Sequence, residues 1–242
     1  MKLACYNSYL EVNLNIICKN IQSIRATLPA STEIVPVLKC DAYGIGALPV
    51  ANALTSMGWI KTIALAQIGE AVELRQSGIT QNLLVMGGFP DFQIPIALEN
   101  NICLTVFRPE TAAIIDKEAK KLQRKASIQI KIETGLNRIG ARPGAELARL
   151  IDTLKSLPNI EIAGAFTHFV EGEIRGSRLA HHQFELYMRA LGQLDDAGIH
   201  IPMRHICNSG ASDWFPEAYL DAVRIGRRLY MDNRDNPLPP DS

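Results

Sequence analysis

Five short stretches of this sequence hold side chains able to do covalent or acid–base chemistry. Lys39 heads the run Cys40-Asp41-Ala42-Tyr43-Gly44-Ile45-Gly46. Lys131 and Glu133 precede Thr134-Gly135-Leu136-Asn137-Arg138. Thr167-His168, Asn208-Ser209-Gly210 and Arg224-Ile225-Gly226 follow. A lysine in a water-poor cup has a lowered pKa and attacks carbonyls as a free amine, which is Schiff-base chemistry. Condensation with pyridoxal 5′-phosphate (PLP) is one form of it. A solvated lysine does none of this, so the neighbours decide. Tyr43 and two glycines after Lys39 indicate a tight, shaped loop. Ser209-Gly210 and Ile225-Gly226 offer hydroxyl and backbone N–H groups of the kind that bind phosphate, although ordinary turns share that composition. His168 can stack on a flat ring, move a proton, or simply hydrogen-bond. Arg138 and Arg224 are permanent cations that donate and never accept. Either can pair a carboxylate, a phenolate or a ring nitrogen, or make a surface ion pair.

These groups need a frame. Short apolar, β-branched runs recur at Ile34–Leu38, Thr62–Ala66, Asn82–Met86, Ile102–Val106, Ser127–Ile132, Ile162–Thr167, Met203–Cys207 and Leu220–Arg224. Helical spacing lies between them, at Ala47–Met57, Ile68–Gln76, Pro109–Arg124, Gly144–Leu157 and Ser177–Ala197. Pro109 and Pro143 suit helix starts, and Gly58, Gly78 and Gly198 suit helix stops. Eight strands joined by helices predict an α/β fold, a (β/α)8 TIM-type barrel. A doubly wound sheet is the rival, but no GxGxxG or GxxxxGK[ST] is present. Barrel active sites lie at the C-terminal ends of the strands, and all five stretches fall there. On the fifth strand Ile128, Ile130 and Ile132 share one face, while Gln129, Lys131 and Glu133 share the other. The polar face is expected to point inward, where charges need partners. Leu10-Glu11-Val12-Asn13-Leu14-Asn15 alternates like an additional N-terminal strand at about 10–15, followed by a helix over Ile16–Leu28.

Composition narrows the function class. The 242 residues are 47% apolar and 21% charged, with 25 basic and 25 acidic side chains. This is a globular balance, and zero net charge argues against bulk nucleic-acid or membrane-surface binding. No run is long and apolar enough to span a bilayer. Cys5, Cys18, Cys40, Cys103 and Cys207 are scattered and form no CxxC pair. No zinc or other metal site and no disulfide framework is expected, and a reducing cytoplasm is the natural compartment. Pro237, Pro239 and Pro240 make residues 233–242 read as the start of a connector, after a barrel over 1–232.

Taken together, the fragments resemble the alanine racemase family, specifically its N-terminal PLP-binding barrel. Val37-Leu38-Lys39-Cys40-Asp41-Ala42-Tyr43-Gly44-Ile45-Gly46 is similar to the family's lysine loop. Lys131-Ile132-Glu133-Thr134-Gly135-Leu136-Asn137-Arg138-Ile139-Gly140 is similar to its second signature. Thr167-His168-Phe169, Asn208-Ser209 and Val223-Arg224-Ile225-Gly226 follow in the expected order, and the likeness runs over residues 6–232. The resemblance implies that Lys39 holds PLP as a Schiff base and is one of two catalytic bases. It implies that Arg138 bonds the cofactor's phenolic oxygen, that Lys131 is the lysine often carbamylated in the family, and that His168 lies near the ring. Tyr43, Ser209 and the Gly226 backbone would hold the phosphate, and Arg224 would face the pyridine nitrogen. An arginine does not give up its proton, so the ring nitrogen would stay unprotonated and side reactions such as transamination would be limited.

The same resemblance implies an L-/D-alanine racemase working as a homodimer in its full-length form. The second base is then a tyrosine of a C-terminal β-domain, donated by the partner subunit, and the additional N-terminal strand pairs with that domain. The chain stops at Ser242, ahead of such a domain, and Tyr230 follows the eighth strand too closely to match that tyrosine. Cys40 and Ile45 stand where alanine and histidine are usual. Leu229-Tyr230-Met231 and Val170-Glu171-Gly172-Glu173 also depart from the family pattern, which bears on substrate choice more than on PLP binding. Three alternatives remain: a non-catalytic PLP-binding barrel or inactive racemase fragment, a serine or broad-specificity racemase, and a PLP-free barrel enzyme using Lys39 on a phosphorylated metabolite. A related decarboxylase would place an acid, not Arg224, at the pyridine.

Overall fold

A computed structural model describes residues 10–231. Its eight strands are β1 (Glu33–Pro36), β2 (Thr62–Leu65), β3 (Asn82–Val85), β4 (Ile102–Val106), β5 (Ala126–Lys131), β6 (Ile160–Phe166), β7 (Arg204–His205) and β8 (Ala222–Ile225). All neighbours are parallel, β2 to β7 in chain order and β1 against β8. Two seams close the sheet. Val37 bridges to Ala64, and the Leu38 N–H donates to the Ala64 carbonyl at 2.9 Å. On the other side the Arg224 N–H donates to the Cys207 carbonyl at 3.0 Å. The expected (β/α)8 barrel is therefore closed among the described residues.

β-Branched and aliphatic residues fill both faces of these strands, so β2 and β4 are buried along their whole length. The outer layer packs Ile128 and Ile130 of β5, and Ile132 just beyond it, into the core cluster shared with the helices. Inside the barrel a smaller cluster joins Val35, Val37, Ala64, Leu84, Cys103 and Ala222. The helices are α1 (Leu14–Thr27), α2 (Lys39–Gly44), α3 (Ala47–Thr55), α4 (Ile68–Gln76), α5 (Ile94–Glu99), α6 (Pro109–Lys121), α7 (Ala145–Lys155) and α8 (Arg178–Asp196). Pro109 opens α6 as expected, whereas Pro143 lies just ahead of α7. None among the described residues is long and apolar enough to cross a membrane.

One expected element does not form. Residues 10–13 carry no strand, and Leu14 already belongs to α1. Asn13 explains the switch: its side chain accepts the N–H of Asn15 at 3.0 Å and of Ile16 at 3.4 Å, a helix N-cap. Val12 and Leu14 pack on the outer core instead. The connector expected over 233–242 lies outside the described residues.

Candidate active site

Lys39 leaves the tip of β1 and enters a turn of unusual hand. Cys40, Asp41, Ala42 and Tyr43 all have φ between 52° and 60°. Left-handed backbone costs L-residues roughly 1–2 kcal/mol each, so four in succession need support. The buried Ala42 donates its N–H to the Leu38 carbonyl at 2.9 Å, and the Asp41 carboxylate accepts the Ala47 N–H at 2.6 Å. The turn carries Lys39 and Tyr43 onto one side, with Lys39 Nζ 5.7 Å from the Tyr43 ring centre.

The Tyr43 hydroxyl lies against Gly226, where any Cβ would collide with it. The Gly226 N–H donates to Ser209 Oγ at 2.9 Å. Ser209 thus uses its oxygen as acceptor and keeps its own proton to donate. The loop after β7 is braced from outside. Trp214 Nε1 donates to the Gly172 carbonyl at 2.8 Å, and Arg228 donates to Ser212 Oγ and pairs with Asp213, both at 2.7 Å.

The floor is Arg224, 3% exposed. One terminal nitrogen donates to His205 Nδ1 at 2.8 Å and to the His205 carbonyl at 3.0 Å. The other donates to the carbonyls of Thr167 (2.7 Å) and Ile206 (3.0 Å) and to His168 Nδ1 at 3.2 Å. A guanidinium only donates, so both imidazoles must present an unprotonated Nδ1 and carry their proton on Nε2. That tautomer, assigned from the network, lets His205 Nε2 donate to Gln129 Oε1 at 2.6 Å. Burial, then the Arg224 charge, lowers the His168 pKa to about 2 and that of His205 well below its ordinary value. Burial also lowers Arg224 to about 10, so it stays cationic at neutral pH. Its Nε–H is the donor without a protein acceptor among the described residues.

The inner face of β5 is polar, as the alternation predicts. Lys131 is 1% exposed, and its Nζ donates to the Ile132 carbonyl at 2.9 Å. No carboxylate pairs with it among the described residues. Burial and the Arg224 charge bring its pKa down to about 7. Glu133 serves the following turn. Burial alone would raise its carboxyl, but the backbone N–H groups of Asn137, Gly135 and Arg138 more than offset this and hold it below the usual range. That turn presents Arg138, which is exposed and makes no side-chain hydrogen bond among the described residues.

Lys39, Tyr43, Arg138, His168, Ser209, Arg224 and Gly226 line a single cup of about 360 Å³, within the range of small-molecule sites. Lys131 sits in the barrel interior, close enough for the charges of Arg224 and Arg138 to act on it. Arg227 and Glu173 also line the cup, which therefore holds four cationic side chains and one carboxylate. That balance suits an anion. Sequence reasoning missed His205, which lies on the two-residue β7, and Tyr187, whose hydroxyl accepts the His205 N–H at 3.2 Å.

Comparison with known proteins agrees with this geometry. Residues 12–234 match the model for "Alanine racemase, N-terminal domain". The chain belongs to this family. It is 34% identical to alanine racemase 1 of Oceanobacillus iheyensis over 95% of this chain and 61% of that protein. For alanine racemase of Clostridium perfringens the figures are 39%, 90% and 56%. Among solved structures, alanine racemase of Clostridium difficile in complex with cycloserine superposes with a TM-score of 0.89 at 34% identity, covering 95% of this chain and 63% of that one. Alanine racemase of Bacillus anthracis with bound L-Ala-P gives 0.87 at 31%, covering 95% and 60%. The chain thus spans about three fifths of the length of these relatives.

Proposed function

We propose that this racemase-family barrel binds PLP on Lys39 and performs one side of an alanine racemisation. The observation that carries the reading is the cup itself: an amine, an anion cradle and a fixed arginine donor line one cavity. The residues present fit PLP. The Ser209 hydroxyl proton, the Tyr43 hydroxyl and the Gly226 backbone would hold its phosphate, Arg138 its phenolic oxygen, and His168 would lie near its ring. Arg224 Nε–H would donate to the pyridine nitrogen. When bound, PLP withdraws electrons from the substrate Cα and acidifies its proton. Arg224, cationic at neutral pH, would donate a hydrogen bond to the ring nitrogen and keep its own proton, which would limit that withdrawal. Lys39 Nζ would anchor the cofactor and, as a free amine, would remove and return the α-proton on its own side of Cα.

Inversion needs a second acid–base group on the opposite side. In this reading it is a tyrosine from the C-terminal β-domain of a partner subunit in a full-length homodimer. Lys131, with a pKa near 7, has the neutral amine that CO2 requires. A carbamate there would offer an anionic partner to Arg138, which pairs with no carboxylate among the described residues. Cys18, Cys40, Cys103 and Cys207 are free thiols among the described residues, which suits a reducing cytoplasm.

Proton exchange tests the reading. In D2O the PLP-loaded chain should wash deuterium into one alanine enantiomer with retention of configuration, because one base acts on one side. Lys39→Ala should lose the exchange. Exchange no faster than with free PLP would contradict the assignment, and full racemisation by this chain alone would contradict the single-base account.

A further inference from the structure

Lys39 is pinned through its backbone on both flanks by one neighbouring β–α unit. Before it, the Leu38 N–H donates to the Ala64 carbonyl of β2 at 2.9 Å. After it, the Cys40 N–H donates to Glu70 Oε1 at 2.5 Å. Glu70 is the third residue of α4, and its other oxygen accepts the N–H groups of Ala66 and Gln67, each at 2.9 Å. Those two bonds are ordinary helix-capping work. The third is not: it leaves the helix to hold the first residue of the left-handed turn. Glu70 is absent from the cup lining, and these three bonds all go to backbone N–H groups.

We propose that Glu70 is a positioning residue for Lys39. Its carboxylate locks the left-handed turn so that the Lys39 amine and the Tyr43 hydroxyl share one cup. A right-handed or extended path from Cys40 would carry Tyr43 away from Gly226, so the same bond also keeps the anion cradle complete. The inference rests on Lys39 being the PLP-binding amine.

The test compares Glu70→Ala and Glu70→Gln with Arg75→Ala. Arg75 braces the far end of α4 through carbonyls of Ile79, Gln81 and Asn100, and does not reach Cys40. Three readouts are taken: PLP dissociation constant, rate of appearance of the covalent PLP–lysine absorption band, and urea midpoint. Loss of a charge-assisted hydrogen bond predicts PLP binding and band formation each weakened about tenfold in Glu70→Ala. Glu70→Gln keeps the shape of the side chain and should fold. Its single acceptor oxygen cannot serve both the cap and Cys40, so it should fall between Glu70→Ala and the wild type. Arg75→Ala should lower the urea midpoint with PLP binding within about twofold of wild type. Wild-type PLP binding in both Glu70 variants overturns the proposal. So does an equal PLP defect in Arg75→Ala, because general destabilisation then explains it. Absence of the band in the wild type instead removes the reading of Lys39 on which the proposal rests.

Discussion

Lys131 shows how a single residue's surroundings fix its chemistry. Its amine is held in the barrel interior by a carbonyl and faces no carboxylate partner among the described residues. The unfolded chain carries the amine at its ordinary value of 10.5, the folded one at about 7. Between those two pH values the unfolded chain binds the extra proton, so stability rises with pH over that window, and the penalty is largest at and below 7. Lys131→Met, in CO2-free buffer, is expected to stabilise the fold at pH 7 by about 1–3 kcal/mol and to flatten the rise toward pH 10, as read from urea midpoints. A lower midpoint at pH 7 would show that the amine is better satisfied than its contacts indicate. The inward place of Lys131 and Gln129 was legible from alternation along a six-residue strand. His205 escaped because β7 is only two residues long, too short for a period to be counted.

The elements were legible where local pattern and tertiary demand agree. Strands buried on both faces read as compact β-branched runs, and Ile102–Val106 and Ile68–Gln76 have the bounds their sequences predict. The six-residue α5 is too short to display helical spacing. The 10–15 alternation gives way to a helix because Asn13 caps α1 at Leu14. The left-handed α2 was hidden for another reason. Nothing in Cys40-Asp41-Ala42-Tyr43 specifies that hand, which comes from Glu70, Asp41 and the gap over Gly226. Backbone hand can be probed at the exposed Cys40. Cys40→Val should destabilise by about 1 kcal/mol or more, since a β-branched residue resists positive φ, while Cys40→Gly should be neutral or stabilising. The reverse order of urea midpoints would rule out strain at this position.

At the scale of the whole molecule, the barrel gathers at one rim what the sequence spreads over nearly two hundred positions. Net charge is zero across the chain, yet the cup concentrates Lys39, Arg138, Arg224 and Arg227 against the single carboxylate of Glu173. Bulk composition argued only against a broad nucleic-acid surface and did not reveal this local cluster of cations. The barrel, the strand-end location and the inward polar face followed from periodicity and fold rules. The residue roles drew on the order of five motifs, and the substrate on relatives that this chain matches over about three fifths of their length. If this rim holds PLP on one amine, borohydride reduction of the PLP-incubated chain, followed by peptide mass mapping, should find a phosphopyridoxyl group on Lys39 and none retained in Lys39→Ala. Labelling spread over surface lysines, or the same yield in that variant, would contradict it.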